Sequence, residues 1–586
     1  MKKTLFLSLF MALALSASAI PPKKGVKKPI LLDNGTTVVA ELCGDEFRSY
    51  WKAEDGKCYS KDAATGSYHE VDVATFKPTK QALQLKDAAL NAKSNFLRKN
   101  RVGQKASSAQ EGYFGERRCV IILAQFKDLK FIKSHTTSYY QNLANQEGFS
   151  SIYGHVGSVR DYFKDQSNGQ FVIDFDVYGP VTLPNNYAYY GAHTGSGDDE
   201  QNDAHAGTMV AQACKLAAEQ YNIDFSPYDW DNDGSVEHVF VIYAGQGEAD
   251  GGGDDTIWPH KHYLRYSDYG STVNINGKTI DTYACGNEQA TTVIYNAATG
   301  NYRTSVVPNG IGTICHEFSH CLGYPDFYDT KYKNYGMGSW DLLSAGCYNG
   351  KSDKGYQPAN YTGYERLCAG WVDPIVLSQP TTVKGMKPIS QYGDVFVINN
   401  DDNPDEYYII ENRQQDGIWD SALPGSGLMI THVDYSEAIW EINAVNTATN
   451  YSSIYGDSYA KYDNDHQRCT IFHADNKATS NDEATDLYPS NGNNALTSTS
   501  TPAATVYTTK GFMNKDITNI VQNEDGTIDF DFMGGSDTNV ITSIGQAAIE
   551  KAAATRIYTI DGRYAGSNIH ALGHGIYVRG GKKIVK

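Results

Sequence analysis

The sequence lacks an excess of basic residues. Its 50 Lys and Arg are outnumbered by 68 Asp and Glu, which gives a formal net charge of −18. Proteins that bind nucleic acid neutralise phosphates with clustered Lys and Arg, so this composition argues against a nucleic-acid partner. The acidic balance is compatible with the binding of divalent cations.

Long hydrophobic runs are also missing, with one exception at the N-terminus. Residues 1–19 read MKKTLFLSLFMALALSASA, which combines a basic start, an apolar run and a small-residue site at Ala17-Ser18-Ala19. This is the pattern of a secretory signal peptide. No later segment is long and apolar enough to span a membrane. We therefore expect an exported, monomeric protein without a transmembrane segment, either secreted or attached to the cell surface.

Cysteine is scarce for a chain of this length, with ten in 586 residues. An exported chain permits disulfides, but this density excludes a small scaffold that depends on them. The length exceeds what one hydrophobic core supports and predicts several domains.

A short stretch from His316 to Asp326, HEFSHCLGYPD, carries the strongest chemical signal. His316 and His320 are four residues apart, so on a helix they lie on one face and can reach the same metal ion. A helix is predicted because apolar residues recur at the spacing of one buried stripe, at Ile311, Ile314, Cys315, Phe318 and Leu322.

The residues after this helix predict a turn. Gly323 suits a C-terminal cap and Pro325 prevents the helix from resuming, so Asp326 can return as a third ligand. Two imidazoles and a carboxylate suit zinc and leave one position for water, as in catalytic sites. Glu317 can take the water's proton and deliver it to a leaving amine. The pattern predicts peptide hydrolysis. The alternative of two surface histidines on an ordinary helix leaves the turn residues unexplained.

A second candidate site is the stretch DWDNDGSVE, from Asp229 to Glu237. Oxygen ligands at positions one, three and five, a glycine at six and an acid at nine match the first part of a calcium loop. Position twelve is Phe240 and not a bidentate Glu. We predict a structural calcium site at Asp229, Asp231, Asp233 and Glu237, with a solvated acidic turn as the alternative. The nearby glycine-rich stretch GEADGGGDDTIWPHKH is a cleft rim with a second cation or simply a loop.

Composition divides the chain into five parts. After the signal peptide at 1–19, residues 20–112 form a hairpin-like region, a polar helix and a Gly/Ser/Gln linker, which together predict a propeptide. An N-terminal β-domain that stays attached is the alternative. Residues 113–375 alternate strands and helices, which predicts a mixed sheet with packed helices. Residues 376–535 read as a β-sandwich-like region, and residues 536–586 as a small β-module with three short strands.

Three residues of the predicted propeptide could bind the zinc and keep the enzyme inactive. A thiolate of Cys43 or Cys58 is a strong zinc ligand, and Asp45 is an equally possible blocking ligand. We prefer a disulfide between the two cysteines.

These residues carry a family resemblance. HEFSHCLGYPDFYD, followed by GSWDLLSAGCYNG, resembles the catalytic core of the immune inhibitor A family of bacterial metalloproteases, relatives of the metzincins. GDEFRSYWKAEDGKCYSKD is similar to that family's propeptide, and further segments extend the likeness over most of residues 35–533. The resemblance implies an α+β, metzincin-like catalytic domain with a mixed sheet over the zinc helix. It also implies that His316, His320 and Asp326 bind zinc, that Glu317 is the catalytic acid/base, and that the Asp-rich loop binds calcium.

The C-terminal segment TRIYTIDGRYAGSNIHALGHGIYVRGGKKIVK resembles the sorting domains read by the type IX secretion system of Bacteroidetes. A small β-module without a transport role is the alternative.

The chain departs from the family at one position. Where the family usually has methionine beneath the zinc, this chain has Leu343 in the turn Trp340-Asp341-Leu342-Leu343-Ser344. Leucine has a similar volume and polarity, so we expect the base of the site to survive.

Two functions are consistent with these observations. The first is a secreted zinc endopeptidase that holds extended peptides antiparallel to a sheet edge above the helix. The second is a surface adhesin or glycan-binding protein in which the β-sandwich carries the function and the metal site is a relic. A relic site has no reason to keep Glu317, and tyrosines in strands are usually ordinary packing.

Overall fold

The computed structural model describes residues 18–62, 65–73, 113–195, 202–296, 301–479 and 481–542, and in the tail 557–559, 564–566, 575–579 and 582–585. Most of the predicted signal peptide, the predicted polar helix at 80–100 and the linker at 103–112 lie outside these residues. Among the helices within them, none has both the length and the apolar character needed to cross a membrane.

The N-terminal part is a small antiparallel sheet preceded by a two-residue strand, β1 (Ser18–Ala19), that pairs elsewhere. The sheet is ordered as in the chain, β2 (Lys27–Leu31), β3 (Thr37–Gly44), β4 (Ser49–Ala53), β5 (Cys58–Lys61) and β6 (Tyr68–Val71). Gly35 and Gly56 have positive φ in the turns that join successive strands, which favours glycine there. The predicted hairpin-like region is therefore confirmed.

The predicted disulfide between Cys43 and Cys58 is wrong, because both are free thiols. Cys43 lies on β3 and Cys58 on β5, with β4 between them. Two strand spacings of about 4.8 Å place the two backbones farther apart than a disulfide allows.

A mixed sheet occupies the centre of the next region. The strands of this region are β7 (Gly115–Gln125), β8 (Phe171–Thr182), β9 (Ser235–Val236), β10 (Val239–Gln246), β11 (His260–Tyr263), β12 (Val273–Ile275), β13 (Lys278–Ile280), β14 (Thr282–Asn296) and β15 (Asn301–Pro308). Within the described residues the mixed sheet has seven strands, ordered β1-β11-β14-β10-β7-β8, with β15 paired to β14. β9, β12 and β13 form a separate small sheet. The predicted mixed sheet is confirmed.

The central strand β7 shows why this sheet is covered on both faces. It runs parallel to β10 and β8 and is a continuous apolar run. Ile121 and Leu123 face one hydrophobic core, and Val120 and Ile122 face the other. The helices of the region are α1 (Thr137–Asn145), α2 (Val159–Gln166), α3 (Tyr187–Gly191), α4 (Ala206–Tyr221), α5 (Gly312–Cys321) and α6 (Gly363–Cys368).

The helix α5 carries both histidines of the predicted metal site, as the sequence predicts. It differs in one respect, because all ten of its residues are buried and not just one stripe. The sheet covers one side, where Phe318 packs on Phe175. β1, α2 and the segment Ala345–Tyr348 contact the helix from other sides, so the site lies inside the molecule.

The C-terminal region contains two sheets that share one core. Its strands are β16 (Ile375–Val376), β17 (Thr381–Met386), β18 (Phe396–Asn399), β19 (Glu406–Arg413), β20 (Gly427–Asp434), β21 (Cys469–Ile471), β22 (Thr505–Val506), β23 (Gly511–Phe512), β24 (Ile517–Gln522), β25 (Ile528–Phe532) and β26 (Val540–Thr542). The sheet orders are β16-β18-β19-β20-β21 and β24-β25-β17-β26, and β22 pairs with β23. Phe396 from the first sheet contacts Phe530 from the second. Two short helices, α7 (Glu437–Glu441) and α8 (Tyr451–Tyr455), lie between β20 and β21.

The tail forms a sheet of its own. Four short strands are described where the sequence predicted three, namely β27 (Ile557–Thr559), β28 (Tyr564–Gly566), β29 (Ile576–Arg579) and β30 (Lys582–Val585). They are ordered β28-β27-β29-β30.

Candidate metal centre

Three side chains converge at the C-terminal end of α5. His316 Nε2 and His320 Nε2 are 2.9 Å apart, and Asp326 Oδ1 lies 3.2 Å from each. All three residues are buried. Gly323, with a φ of 99°, ends the helix and lets the chain turn back to bring Asp326 to the histidines.

The hydrogen bonds of the two rings determine which nitrogens are free. His316 Nδ1 is 2.8 Å from the carbonyl of Leu342, and His320 Nδ1 is 2.7 Å from the carbonyl of Tyr324. A carbonyl only accepts, so in a neutral ring Nδ1 carries the proton and Nε2 has a lone pair.

Two lone pairs and a carboxylate oxygen therefore face one another. Asp326 Oδ1 is buried, and apart from the two histidine nitrogens no described residue lies within hydrogen-bonding reach of it. The two nitrogen lone pairs and the negatively charged oxygen repel one another unless a cation lies between them. The donor set of two imidazole nitrogens and one carboxylate oxygen fits zinc.

Glu317 follows His316 on the same helix and is fully buried. Its Oε2 has no hydrogen-bond partner in the described part of the chain, whereas Oε1 accepts the backbone N–H of Ile20 at 2.7 Å. Burial raises the pKa of Glu317 well above its usual range, and the carboxylate of Asp326 raises it further. A raised pKa makes the carboxylate a stronger base toward a neighbouring water.

The turn from Trp340 to Ser344 lies beneath the histidines. Leu342 supplies the carbonyl that orients His316, and the carbonyl of the buried Leu343 accepts the backbone N–H of Phe327 at 2.8 Å. Asp341 in turn accepts the N–H of Leu343 at 2.6 Å. The leucine at the position of the family's usual methionine is thus packed and held in the turn.

Sequence reasoning missed one residue of the site. The side chain of Asn443, which follows α7, forms two hydrogen bonds to Asp326. Asn443 is 117 positions from Asp326, in a segment without a recognisable motif, so only the fold brings the two together.

The segment from Ser18 to Pro21 lies across the site. β1 pairs antiparallel with β11, with Ala19 opposite His260. Backbone carbonyls of the segment accept hydrogen bonds from the surrounding walls, those of Ala19 from Tyr328, of Ile20 from Trp258 and of Pro21 from Tyr348.

The two cysteines predicted as candidate blocking residues have other surroundings. Cys43 packs with Tyr50 and Val73, and Cys58 borders the same cluster. Neither thiol belongs to the group of side chains that converges on the two histidines of α5. The structure therefore does not bring a thiolate to the candidate metal centre.

The third candidate blocking residue, Asp45, also lies outside that group. Asp45 Oδ1 accepts the N–H groups of Phe47 and Arg48 at 3.0 Å and so stabilises a turn. The next residue, Glu46, lies close enough to the site to interact with the charge of Asp326. Burial raises the pKa of Glu46 well above its usual range, and the carboxylates of Asp45 and Asp326 raise it further.

The predicted calcium loop is brought together in part. Carboxylate oxygens of Asp229, Asp231 and Glu237 lie within 4.8 Å of one another. Asp233 stays outside this group and accepts the N–H of Ser235 at 2.7 Å. Burial raises the pKa of Glu237 to about 8, against the hydrogen bond from the N–H of Trp230.

A lysine already contributes positive charge to this loop. Lys278 Nζ lies 2.5 Å from Asp229 Oδ2, and the carboxylate of Asp229 also accepts the N–H groups of Asp233 and Gly234. Asp231, exposed at the rim, is the member of the group whose oxygens remain most open to solvent and to an added cation.

The glycine-rich stretch contacts the N-terminal sheet. Asp254 forms ion pairs with Lys28 at 3.3 Å and Lys61 at 2.8 Å, and accepts a hydrogen bond from Tyr68 at 3.2 Å. Burial alone would raise the pKa of Asp254, but the two lysines lower it to about 2. Lys28 and Lys61 therefore provide positive charge next to Asp254.

Comparison with known proteins agrees with the geometry. Residues 120–369 match the family model described as "Immune inhibitor A peptidase M6, catalytic domain". The chain is 25% identical over 316 residues to "Immune inhibitor A" of Bacillus thuringiensis subsp. alesti, which covers 47% of this chain and 44% of that protein.

A second relative is matched over a smaller share of its length. The chain is 27% identical over 280 residues to "Pre-pro-metalloprotease PrtV" of Vibrio cholerae serotype O1 (strain M66-2), which covers 42% of this chain and 28% of that protein. The chain thus spans less than half the length of either relative. The histidines on α5 and the neighbouring Asp326 lie inside residues 120–369, the segment that matches the immune inhibitor A peptidase M6 family model.

Proposed function

We propose that the chain is a zinc-dependent endopeptidase that hydrolyses peptide bonds in proteins. The observation that carries the proposal is the convergence of His316 Nε2, His320 Nε2 and Asp326 Oδ1 beside the carboxyl of Glu317. The match of the surrounding residues to a peptidase catalytic domain supports it. Zinc bound by these three side chains would supply a Lewis acid that polarises the peptide carbonyl and makes water more acidic.

Glu317 is the proposed general base and acid. Its Oε2, buried and without a hydrogen-bond partner, is available to accept a proton from water. Its raised pKa favours retention of that proton until the leaving amine takes it. The contact from the N–H of Ile20 to Oε1 supports this role, because it places a peptide nitrogen within 2.7 Å of the carboxyl.

The substrate would lie along β11. Ser18 and Ala19 pair with Lys261 and His260 in antiparallel register, which supports an extended peptide bound to this strand through its backbone. Pairing of this kind binds peptides without a strong demand on sequence.

Residues 20–112 would act as a propeptide. The contacts of Ile20 and Pro21 with the walls of the site, and those of Lys28 and Lys61 with Asp254, support a segment that obstructs substrate until it is removed. The inactive precursor would be converted by cleavage in the predicted linker before residue 113.

Calcium is part of the proposal as a structural ion. Asp229, Asp231 and Glu237 would hold it, with Asp233 joining after a rotation of its side chain. The charge of Lys278 on Asp229 opposes the ion and weakens its binding.

The proposed function includes export of the protein from the cell. The N-terminal signal pattern and the resemblance of the tail to type IX sorting domains support secretion or attachment to the cell surface, with the secretion machinery as a partner of residues 536–586. Deletion of residues 557–586 in the native host is expected to keep the protein out of the medium. Unchanged secretion of the shortened chain would contradict the sorting role.

The test of the catalytic proposal uses Glu317→Gln and Glu317→Ala. Both variants should bind zinc and keep the melting temperature of the parent, and should lose cleavage of casein by at least about 100-fold after limited proteolysis of the linker. Glu219→Gln, an exposed position on α4, is the matched control and should stay active. Undiminished cleavage by both Glu317 variants would refute the mechanism.

The alternative function, a surface adhesin, predicts no metal-dependent proteolysis. A relic metal site would give no proteolysis that a chelator stops and that added zinc restores. The match to a peptidase catalytic domain does not favour this alternative.

A further inference from the structure

The third proposed ligand is held by a residue of the C-terminal region. Asn443 Nδ2 donates to Asp326 Oδ2 at 2.6 Å, and Asn443 Oδ1 accepts the backbone N–H of Asp326 at 2.7 Å. The side-chain amide of Asn443 therefore hydrogen-bonds both the carboxylate and the backbone of Asp326. The bond to Oδ2 leaves Oδ1, the oxygen without a hydrogen-bond partner, directed at the two histidines.

An amide suits these two contacts because it has a donor and an acceptor on one planar group. A carboxylate at position 443 would lose the donor and bring a second negative charge to Asp326. The backbone of Asn443 is left-handed, with a φ of 55°, a conformation that asparagine tolerates better than most residues.

The loop that presents Asn443 is fixed to the C-terminal sheet. Asn446 Oδ1 accepts the N–H of Cys469 on β21 at 3.0 Å, and its Nδ2 donates to the carbonyl of Phe327 at 2.8 Å. One step farther, Thr447 Oγ1 accepts the N–H of Thr330 at 3.0 Å. Residues 443–447 thus lie along residues 326–330, and the contact to Asp326 has a rigid support.

We propose that Asn443 is a positioning residue that orients Asp326 for the metal, so that the C-terminal β-region completes the metal centre. The inference rests on the proposed binding of zinc by His316, His320 and Asp326. Residues that hydrogen-bond a ligating carboxylate fix its orientation, and their loss commonly weakens metal binding by about 10–100-fold.

The experiment compares three variants of the full chain. Asn443→Gly removes the amide and keeps a residue that tolerates positive φ. Thr447→Val removes the neighbouring contact of the same loop but does not touch Asp326. Asn476→Gly changes an exposed asparagine with a φ of 59° and controls for the glycine itself. Zinc affinity is measured by competition with a chromophoric chelator, and the cobalt-substituted proteins are compared by their visible absorption.

We expect Asn443→Gly to bind zinc about 10–100-fold more weakly and to change the cobalt spectrum. Thr447→Val and Asn476→Gly should match the parent in both, and the metal-free melting temperature of Asn443→Gly should fall further than that of Asn476→Gly, because Asn443 loses two side-chain hydrogen bonds. Zinc affinity of Asn443→Gly within twofold of the parent would overturn the inference. Equal weakening in Thr447→Val would also overturn it, because the loop and not the amide would then be responsible.

Failure of the proposed function has a different signature. If the parent protein binds no zinc at this site, or if Glu317→Gln stays active, the proposed chemistry is wrong. If the parent binds zinc, Glu317→Gln is inactive and Asn443→Gly binds zinc normally, the role of Asn443 alone is wrong.

Discussion

At the scale of single residues, burial of an ionisable ring links stability to pH. His155 is 2% exposed, and burial lowers its pKa to about 4 from the usual 6.5. The folded state therefore favours the neutral ring. The neutral ring of His155 contributes fully to the free energy of unfolding above pH 6.5, and this contribution is lost as the pH falls toward 4. The loss amounts to about 3 kcal/mol at most.

We expect the melting temperature of His155→Gln to fall less between pH 6.5 and 4 than that of the parent. Scanning calorimetry across this range measures the difference. The partly exposed His69→Gln serves as the control and should follow the parent. Parallel curves for the parent and His155→Gln would contradict the prediction.

A second residue-scale prediction concerns Leu343. Its side chain is fully buried in the turn beneath the histidines, and methionine has a similar volume. Leu343→Met should change the free energy of unfolding by less than about 1.5 kcal/mol and leave zinc affinity unchanged. Denaturant titration and chelator competition test the two parts. A large loss of zinc affinity would show that the turn does not tolerate the family's usual residue.

At the scale of the element, the acidic loop before β9 is expected to depend on calcium. Carboxylates of Asp229, Asp231 and Glu237 lie close together with Lys278 as a partial counter-charge, so an added cation relieves the remaining repulsion. Calcium should raise the melting temperature of the parent, and a calcium-selective chelator should lower it.

Asp231→Asn should remove most of this calcium-dependent shift. The exposed Asp525→Asn, in a turn far along the chain, is the matched control and should keep the full shift. A melting temperature of the parent that does not respond to calcium or to the chelator would refute the calcium site.

At the scale of the whole molecule, the N-terminal sheet is joined to the catalytic region by buried charge. Asp254 pairs with Lys28 and Lys61 across this boundary, and its side chain is 8% exposed. Removal of one charge from a buried network leaves the other charges without compensation. Asp254→Asn should therefore loosen the N-terminal region and increase cleavage of casein by the unprocessed chain.

The control for this prediction breaks an ion pair inside the N-terminal sheet. Lys57 and Glu70 are paired at 2.7 Å with both side chains more than half exposed, and this pair does not cross the boundary. Glu70→Gln should leave the unprocessed chain as inactive as the parent, because exposed pairs contribute little. Equal activity of the unprocessed parent and Asp254→Asn would contradict a role of Asp254 in holding the proposed propeptide in place.

The sequence by itself determined the local features. The spacing of His316 and His320, the cap at Gly323 and the apolar runs of β7 and β10 depend on neighbours within a few turns, so helix, turn and strands followed from pattern. The four-residue spacing of the histidines also determined that both rings could reach one ion.

Tertiary structure decided what distant segments contribute. The amide of Asn443 reaches Asp326, the carbonyl of Leu342 orients His316, and the N–H of Ile20 reaches Glu317 because separate elements pack around α5. It also decided that β4 separates Cys43 from Cys58 and that α5 is buried on every side. Contacts of this kind depend on how sheets pair and pack over long sequence separations, and no local period or spacing in the chain encodes them.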